Sequence, residues 1–242
     1  MNEKRKIFLS FRPEYFRPIL YNIKKYEYRK RFCNESTTAY LYLSSPVKKV
    51  IGIMELGMPL RMDVIISNYS EKSDVYSRIS KCLENGEKFA IPIESLQLFK
   101  KPISIEEIKE IQNNFSPPQC YLNLKNYESV LNYLEKQKMF NIEFYNKHDI
   151  IYEDNLALSC KEMELTDEFI LKDKKYLNDS KYDIVECGYI NKKIFKNFIK
   201  IIIIIFLNRF LVIKYYITMA INRLFVFQYK LKNLRWVVIN NV

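Results

Sequence analysis

The sequence predicts an α+β protein: a small mixed β-barrel with flanking helices, followed by a poorly defined α+β segment and a basic, apolar helical C-terminus. The barrel is predicted because residues 5–122 contain many short runs of aliphatic and aromatic residues but few helical patterns. The other two parts are predicted because the balance of charged residues changes sign twice along the chain.

Charged residues divide the chain into three segments. Residues 1–122 contain 20 Lys and Arg against 14 Asp and Glu, residues 123–190 contain 9 against 14, and residues 191–242 contain 10 against none. A basic segment attracts phosphate backbones or anionic lipids, although a solvated Lys-rich surface has the same composition. We therefore predict a barrel at 5–122, an acidic α+β or partly ordered segment at 123–190, and a basic, apolar helical tail at 191–242.

Each element of the barrel is predicted from a local pattern. Alternating or apolar runs indicate strands, and Pro92 indicates a sheet edge or a bulge. Ser104 and Glu107 form a capping box that opens a helix, and Asn126 is predicted to cap another. The predicted strands are 7–11, 26–32, 39–44, 49–56, 88–99 and 120–122, and the predicted helices are 14–23, 104–111 and 127–138.

The strongest concentration of polar chemistry lies at residues 24–31, Lys-Lys-Tyr-Glu-Tyr-Arg-Lys-Arg, of which five are basic. In a strand, alternation places Glu27, Arg29 and Arg31 on one face and the two tyrosines on the other. Arginine offers a bidentate fork to phosphate or to a base edge, and neighbouring aromatic rings stack on unpaired bases. The same pattern fits a solvated, salt-bridged strand face whose tyrosines lie in the core.

Four motifs follow one another at suitable separations in the first half of the chain. They are Leu9-Ser10-Phe11-Arg12-Pro13, Asn22-Ile23-Lys24-Lys25-Tyr26-Glu27-Tyr28-Arg29, Tyr40-Leu41-Tyr42-Leu43-Ser44-Ser45-Pro46 with Val50-Ile51-Gly52, and Pro117-Pro118-Gln119. This order resembles the ASCH domains, a branch of the PUA-like superfamily. The resemblance covers about half of the chain, and the second motif departs from the family pattern where Asn22 replaces a glycine.

The resemblance implies a mixed β-barrel with flanking helices and a cleft near its mouth. Relatives are mostly RNA-binding modules linked to translation or its regulation, while some hydrolyse a modified cytidine and some cleave RNA. In the hydrolases a Lys, a Thr and a downstream Glu are the working groups. Lys24 matches the Lys, whereas Glu27 stands at the Thr position. The candidates for the downstream Glu are Glu71, Glu84 and Glu87.

The sequence therefore predicts a cytoplasmic, non-enzymatic RNA-binding protein that is regulatory or linked to translation. The alternative is a hydrolase, an amidohydrolase or ribonuclease, that uses Lys24 and Glu27, and a lowered pKa of Lys24 would support it. Tyr26 or Tyr28 would pack or stack, and Ser10 either points into the cleft or caps the next helix. The predicted nucleic-acid-binding residues are Ser10, Arg12, Lys24, Lys25, Glu27, Arg29, Lys30, Arg31 and Gln119.

No metal site and no cofactor are predicted. The five cysteines form no CxxC pair, and the chain has one histidine, so the usual Cys and His ligands of zinc do not occur at ligand spacing. No Gly-rich phosphate loop is predicted either, because the chain contains four glycines in total.

The basic tail is open to three interpretations. Residues 201–207 form an unbroken apolar run, but three cationic residues and an asparagine interrupt the wider stretch and disfavour a clean transmembrane helix. The interpretations are a basic amphipathic or buried helix pair, an imperfect membrane segment, and an unselected tail. A third function class follows, a protein anchored to an anionic membrane surface by residues 194–235.

Overall fold

The computed structural model describes residues 4–147 and 155–176, and these ranges contain eight strands and seven α-helices. The strands are β1 (Arg5–Phe11), β2 (Tyr26–Arg29), β3 (Thr37–Leu43), β4 (Lys49–Leu56), β5 (Leu60–Arg61), β6 (Phe89–Ser104), β7 (Tyr121–Asn123) and β8 (Met139–Tyr145). The helices are α1 (Pro13–Leu20), α2 (Met62–Ile65), α3 (Asp74–Glu84), α4 (Ile105–Ile111), α5 (Glu128–Glu135), α6 (Cys160–Met163) and α7 (Asp167–Tyr176).

The strands form one mixed sheet in the order β2-β6-β4-β3-β1-β7, and β5 and β8 also pair with β6. Strands β1 and β3 run parallel, whereas the other pairs are antiparallel. The sheet curls into a half-barrel with helices at its flanks, which confirms the predicted α+β fold class. Because β1 lies inside this sheet, it holds the segment before α1 next to both β3 and β7.

Strand β6 is irregular near Pro92, where the sequence predicted a sheet edge or a bulge. Its first residues pair with β2 and β5, and its later residues pair with β4 and β8. The register against β4 shifts after Ile93, so Glu94 is an extra residue and forms a bulge. The bulge predicted from Pro92 is thus confirmed two residues farther along the strand. The alternative of a sheet edge is wrong because β6 has partners on both sides.

Both faces of the sheet are buried, and the alternation of side chains in β1 shows how. Ile7, Leu9 and Phe11 belong to a core that α1 covers, whereas Phe8 belongs to a second core beneath α4 and α5. A third cluster packs β2 against α2 and α3. Full burial of an aliphatic or aromatic side chain stabilises a fold by about 1.5–3 kcal/mol, so these layers hold β1 and β2 firmly.

Local backbone chemistry explains two of the element boundaries, and the structure overturns one predicted cap. Asn22 follows α1 with φ 54°, a left-handed conformation that asparagine tolerates better than most residues, which explains why it can stand where the family pattern has glycine. Ser104 and Glu107 form the predicted capping box of α4. The cap predicted at Asn126 is wrong, because Asn126 ends a short 3₁₀ turn and Tyr127 occupies the N-cap of α5.

Residues after 122 add to the same half-barrel. Strand β8 pairs with β6, and Met163 of α6 and Phe169 of α7 belong to the core that α1 covers. The boundary at residue 122 stays a prediction, and the basic tail at 191–242 lies outside the described residues. Among residues 4–147 and 155–176, no helix has the length and apolar character needed to cross a bilayer.

Candidate nucleic-acid interface

Lys24, Glu27 and Arg29 form a compact ionic cluster, called the triad below. Lys24 follows α1, and the other two residues project from the same face of β2. Lys24 Nζ donates a hydrogen bond to Glu27 Oε2 at 2.7 Å. Arg29 Nε lies 2.8 Å from Glu27 Oε1 as an ion pair. One carboxylate therefore serves two cations, and the triad carries one net positive charge.

The triad is buried, which overturns the interpretation of a solvated strand face. The exposed fraction of the side chain is 9% for Lys24, 6% for Glu27 and 15% for Arg29. Burial alone would raise the pKa of Glu27, but the attraction of Lys24 and Arg29 outweighs burial and lowers the pKa. Burial would likewise lower the pKa of Lys24, but Glu27 outweighs it and raises the pKa. Both groups stay ionised at neutral pH.

Arg29 connects β2 to β1. Its Nη2 donates to the backbone oxygen of Ser10 at 3.3 Å, and its Nη1 donates to Cys120 Sγ at 3.5 Å. The guanidinium also lies 5.2 Å from the centre of the Phe11 ring, a cation–π contact. These contacts set the direction of the Arg29 side chain and join the second motif of the sequence to the first.

Ser10 belongs to the same junction and does not cap a helix. Its Oγ donates to the backbone oxygen of Pro118 at 2.7 Å, and its N–H donates to the backbone oxygen of Cys120 at 3.1 Å. The N-cap of α1 is Arg12, whose side chain makes no capping hydrogen bond. The structure therefore excludes the predicted capping role of Ser10 and brings the first, second and fourth motifs together.

Four of the predicted binding residues are exposed and lie next to the residues of this junction in sequence. They are called the rim below. Arg12 follows Ser10 by two residues, Lys30 and Arg31 follow Arg29 directly, and Gln119 lies between Pro118 and Cys120. The Lys30 side chain runs past the loop at Gly86, where a Cβ atom would lie 3.5 Å from Lys30 Nζ. The rim residues are Arg12, Lys30, Arg31 and Gln119.

Lys25 is directed away from the triad. Its Nζ donates to Asn146 Oδ1 at 3.0 Å, and the ammonium group of Lys172 on α7 is near enough to repel it. Burial, followed by this repulsion, lowers the pKa of Lys25 to about 8. The lowered lysine pKa that would favour a hydrolase therefore occurs at Lys25, whereas the prediction placed it at Lys24.

The two tyrosines of β2 pack and do not offer a stacking surface. Tyr26 is 2% exposed and lies in the cluster with α2 and α3. The Tyr28 hydroxyl oxygen accepts a hydrogen bond from the backbone N–H of Ala157 at 2.6 Å. Of the two roles predicted for these rings, packing is the one that the structure shows.

Two thiols near the triad were missed by the sequence prediction. Cys120 contacts Arg29, and Cys160, the first residue of α6, is close enough to contribute to the raised pKa of Lys24. Burial raises the pKa of Cys160 itself, although Lys24 opposes that shift. A local signal for α6 did exist, since Ser159 and Glu162 form a capping box with the spacing of a helix start.

The downstream carboxylates do not extend the triad. Glu71 and Glu84 are exposed, and Glu87 precedes β6 beside Cys82. Within residues 4–147 and 155–176, no group of three or more Cys, His, Asp or Glu side chains is arranged to hold a metal ion.

Comparison with known proteins finds a curated protein that is similar to part of this chain. No protein-family model matches the chain. The chain is 27% identical over 132 residues to a Zymomonas mobilis protein named ASCH domain-containing ribonuclease, a match that covers 52% of this chain and 89% of that protein.

Solved structures of ASCH from Zymomonas mobilis are also similar. One crystal structure is 25% identical, covers 56% of this chain and 98% of its own, and has a TM-score of 0.43. A mutant form is 25% identical, covers 57% and 100%, and has a TM-score of 0.44.

Proposed function

We propose that this chain, whose N-terminal half is an ASCH domain, binds RNA at the junction of β1, β2 and the Pro117–Gln119 turn. The observation that carries the proposal is the hydrogen bond from Arg29 to the backbone of Ser10. This bond joins the first and second motifs, and the hydrogen bonds of Ser10 to Pro118 and Cys120 join the fourth, so exposed rim residues of three motifs lie around one place. The ribonuclease name of the curated relative supports RNA as the partner.

The rim residues lie close to the junction because each is at most two residues away from it in sequence. Consecutive Cα atoms are about 3.8 Å apart, so a residue two positions away lies within about 7.6 Å. Arg12 therefore lies near Ser10, and Arg31 lies near Arg29. Gln119 lies between the two residues that hydrogen-bond to Ser10. Exposed arginine forks supply phosphate contacts, and the amide of Gln119 supplies a polar contact to a base.

The triad has a different role in this proposal. Because Glu27 is neutralised by two cations, its charge does not repel a phosphate backbone. The ion pairs also hold Arg29 against β1. The distance between Arg12, which follows β1, and Arg31, which follows β2, is therefore fixed before RNA binds. A preset site loses less conformational entropy when the ligand binds.

We expect Arg12→Ala/Arg31→Ala to weaken RNA binding and to reduce its salt dependence. For single-stranded RNA, each lost phosphate contact makes the slope of the log association constant against log salt concentration less steep by about 0.7. The slope of the double variant should therefore be less steep by about 1.4. Fluorescence anisotropy with tRNA and with short single-stranded RNA measures both effects.

The matched control for the rim is Lys109→Ala/Lys125→Ala, which removes the same charge from exposed positions on α4 and the following 3₁₀ turn. We expect this control to retain most of the affinity. Equal losses in the two double variants would mean that binding is diffuse attraction by a basic surface, and the localised site would be rejected.

RNA cleavage is the second candidate function, because the curated relative is named a ribonuclease and Lys25 has a pKa of about 8. A lysine with that pKa can exchange a proton near neutral pH, whereas Lys24 and Glu27 stay charged. Our primary proposal is binding without cleavage, so we expect RNA to be recovered intact. Gel analysis of RNA incubated at pH 6–9 with the wild type and with Lys25→Met is the measurement. Cleavage that rises around pH 8 and is lost in Lys25→Met would establish the enzyme instead.

A regulatory or translation-linked role follows from the family resemblance and stays a prediction. RNA classes recovered with the full chain from cells would test it, since a translation-linked module should enrich tRNA, rRNA or messenger leaders over other RNA.

A further inference from the structure

Residues 155–176, called the cover below, pack against the triad and the residues beside it. The backbone N–H of Ala157 donates to Tyr28 Oη at 2.6 Å, one residue from Glu27. Lys172 Nζ donates to the backbone oxygen of Tyr21 at 2.7 Å, three residues from Lys24. Contacts therefore reach both ends of the segment that carries the triad.

A second set of contacts fastens the cover to α1. Asp173 forms an ion pair with Arg17 and accepts a hydrogen bond from the Tyr21 hydroxyl at 2.8 Å. The Tyr21 ring also packs on Phe169 and Tyr176, with ring centres 5.0 Å and 4.8 Å apart. Since α1 leads directly into the triad, these contacts determine how closely the cover lies over it.

Between these two ends lies α6, whose first residue faces the triad. Cys160 is partly buried, and it interacts electrostatically with both Lys24 and Glu27. The cover therefore lies against Lys24 and Glu27, the two innermost groups of the triad.

The cover is attached by few buried side chains. Four of its residues are buried, namely Leu156, Ala157, Met163 and Phe169. By contrast, Leu165 and Leu171 are 79% and 68% exposed. Segments with few buried apolar contacts open at a lower free energy than the core strands do. The cover thus lies against the triad and is held there by few buried apolar side chains.

We propose that the cover is an autoinhibitory element that must move away from the triad before RNA binds fully. This inference rests on the RNA-binding function proposed above. In the closed form, RNA reaches only the rim. In the open form, the triad adds its one net positive charge to the site. The apparent affinity then equals the affinity of the open form reduced by the fraction of molecules that are open.

The test compares Asp173→Asn with Asp167→Asn in the full chain. Asp173→Asn removes the ion pair with Arg17, whereas Asp167 is an exposed residue at the start of α7 and supplies the same change of charge. We expect Asp173→Asn to increase RNA affinity about tenfold, since loss of a charge-assisted contact raises the open fraction. Asp167→Asn should leave the affinity nearly unchanged. The uncharged variant Tyr21→Phe, which removes the hydroxyl bonded to Asp173, should act in the same direction as Asp173→Asn.

A second readout follows the cover directly. Iodoacetamide alkylation of Cys160, resolved from the other cysteines by peptide mass spectrometry, should be slow in the free protein and faster when tRNA or single-stranded RNA is bound. Cys33, which lies in the loop before β3, serves as the internal reference. Autoinhibition by the cover would be rejected, with RNA binding retained, by two results together. Alkylation of Cys160 would be slower with RNA present, and Asp173→Asn and Asp167→Asn would have equal affinities for RNA. Failure of the wild type and all variants to bind RNA saturably would overturn the proposed function and the cover with it.

Discussion

Replacing Glu27 by glutamine is expected to lower the free energy of unfolding by about 3–5 kcal/mol at neutral pH. Removing one member of a buried ion pair is strongly destabilising because it leaves the remaining charge buried without compensation. Here the substitution leaves two buried cations, Lys24 and Arg29, facing a neutral amide. Urea denaturation followed by circular dichroism measures the loss.

The matched control is Asp63→Asn. Asp63 also pairs with an arginine, Arg61, but both side chains are exposed to solvent. Exposed pairs contribute little to stability, so we expect no resolvable change for this variant. If Glu27→Gln were as stable as the wild type, the triad would not be a buried charge network. The proposal that its ion pairs hold Arg29 against β1 would then be rejected.

Acid should remove the same stabilisation from the wild type. The pKa of Glu27 is lowered by folding, so its contribution is present above the unfolded-state pKa of about 4.3 and is lost as the pH falls through the folded-state value. The pKa of Lys24 is raised, so its contribution is present below the unfolded-state pKa of about 10.4 and is lost as the pH rises through the folded-state value. The difference in the free energy of unfolding between the wild type and Glu27→Gln should therefore be largest between about pH 4.3 and about pH 10.4, and it should become smaller in acid.

Gly52→Ala is expected to destabilise the fold by about 3 kcal/mol, at the upper end of what overpacking costs. Gly52 lies in β4 between β3 and β6. A Cβ atom there would lie 2.2 Å from the backbone oxygen of Gln97 and 2.9 Å from Leu98 Cα. Backbone atoms of a paired central strand cannot rotate away, so β4 and β6 would have to separate. Thermal and urea unfolding of the purified variant measure the change.

Gly57→Ala is the appropriate comparison. At Gly57 a Cβ atom would lie 2.8 Å from a carboxylate oxygen of Glu94, which is the end of a flexible side chain. That side chain can rotate, so the loss should be clearly smaller than for Gly52→Ala. Equal losses in the two variants would show that the approach of β4 to β6 is not what requires glycine at position 52.

Elements governed by local chemistry were predictable from the sequence. The span of β4 agrees with its prediction, and the capping box of Ser104 begins α4 as expected. The order of the four motifs resembles the ASCH domains, and that resemblance implied a small mixed β-barrel. The end of β2 was placed three residues too late, since Lys30 and Arg31 continue the alternation in sequence but lie beyond the paired strand.

The state of the candidate site was decided by tertiary structure. A run of charges predicts a solvated face as readily as a buried one. Glu27 forms ion pairs with near neighbours in sequence, but it lies opposite Ile91 of β6 and interacts with Cys160, which are both distant in sequence. The same holds for Arg29, whose partners Ser10 and Cys120 are 19 and 91 residues away in sequence. The cover lies farther still, with Ala157 129 residues from Tyr28.

By itself, the sequence determined most of the strands, the Ser104 cap, the order of the motifs and the identity of the charged groups. Only the tertiary structure decided which of those groups are buried, which are paired and which form the exposed rim. The physical reason is that backbone propensity and side-chain alternation act between near neighbours, whereas burial and ion pairing depend on atoms that folding brings together from distant positions.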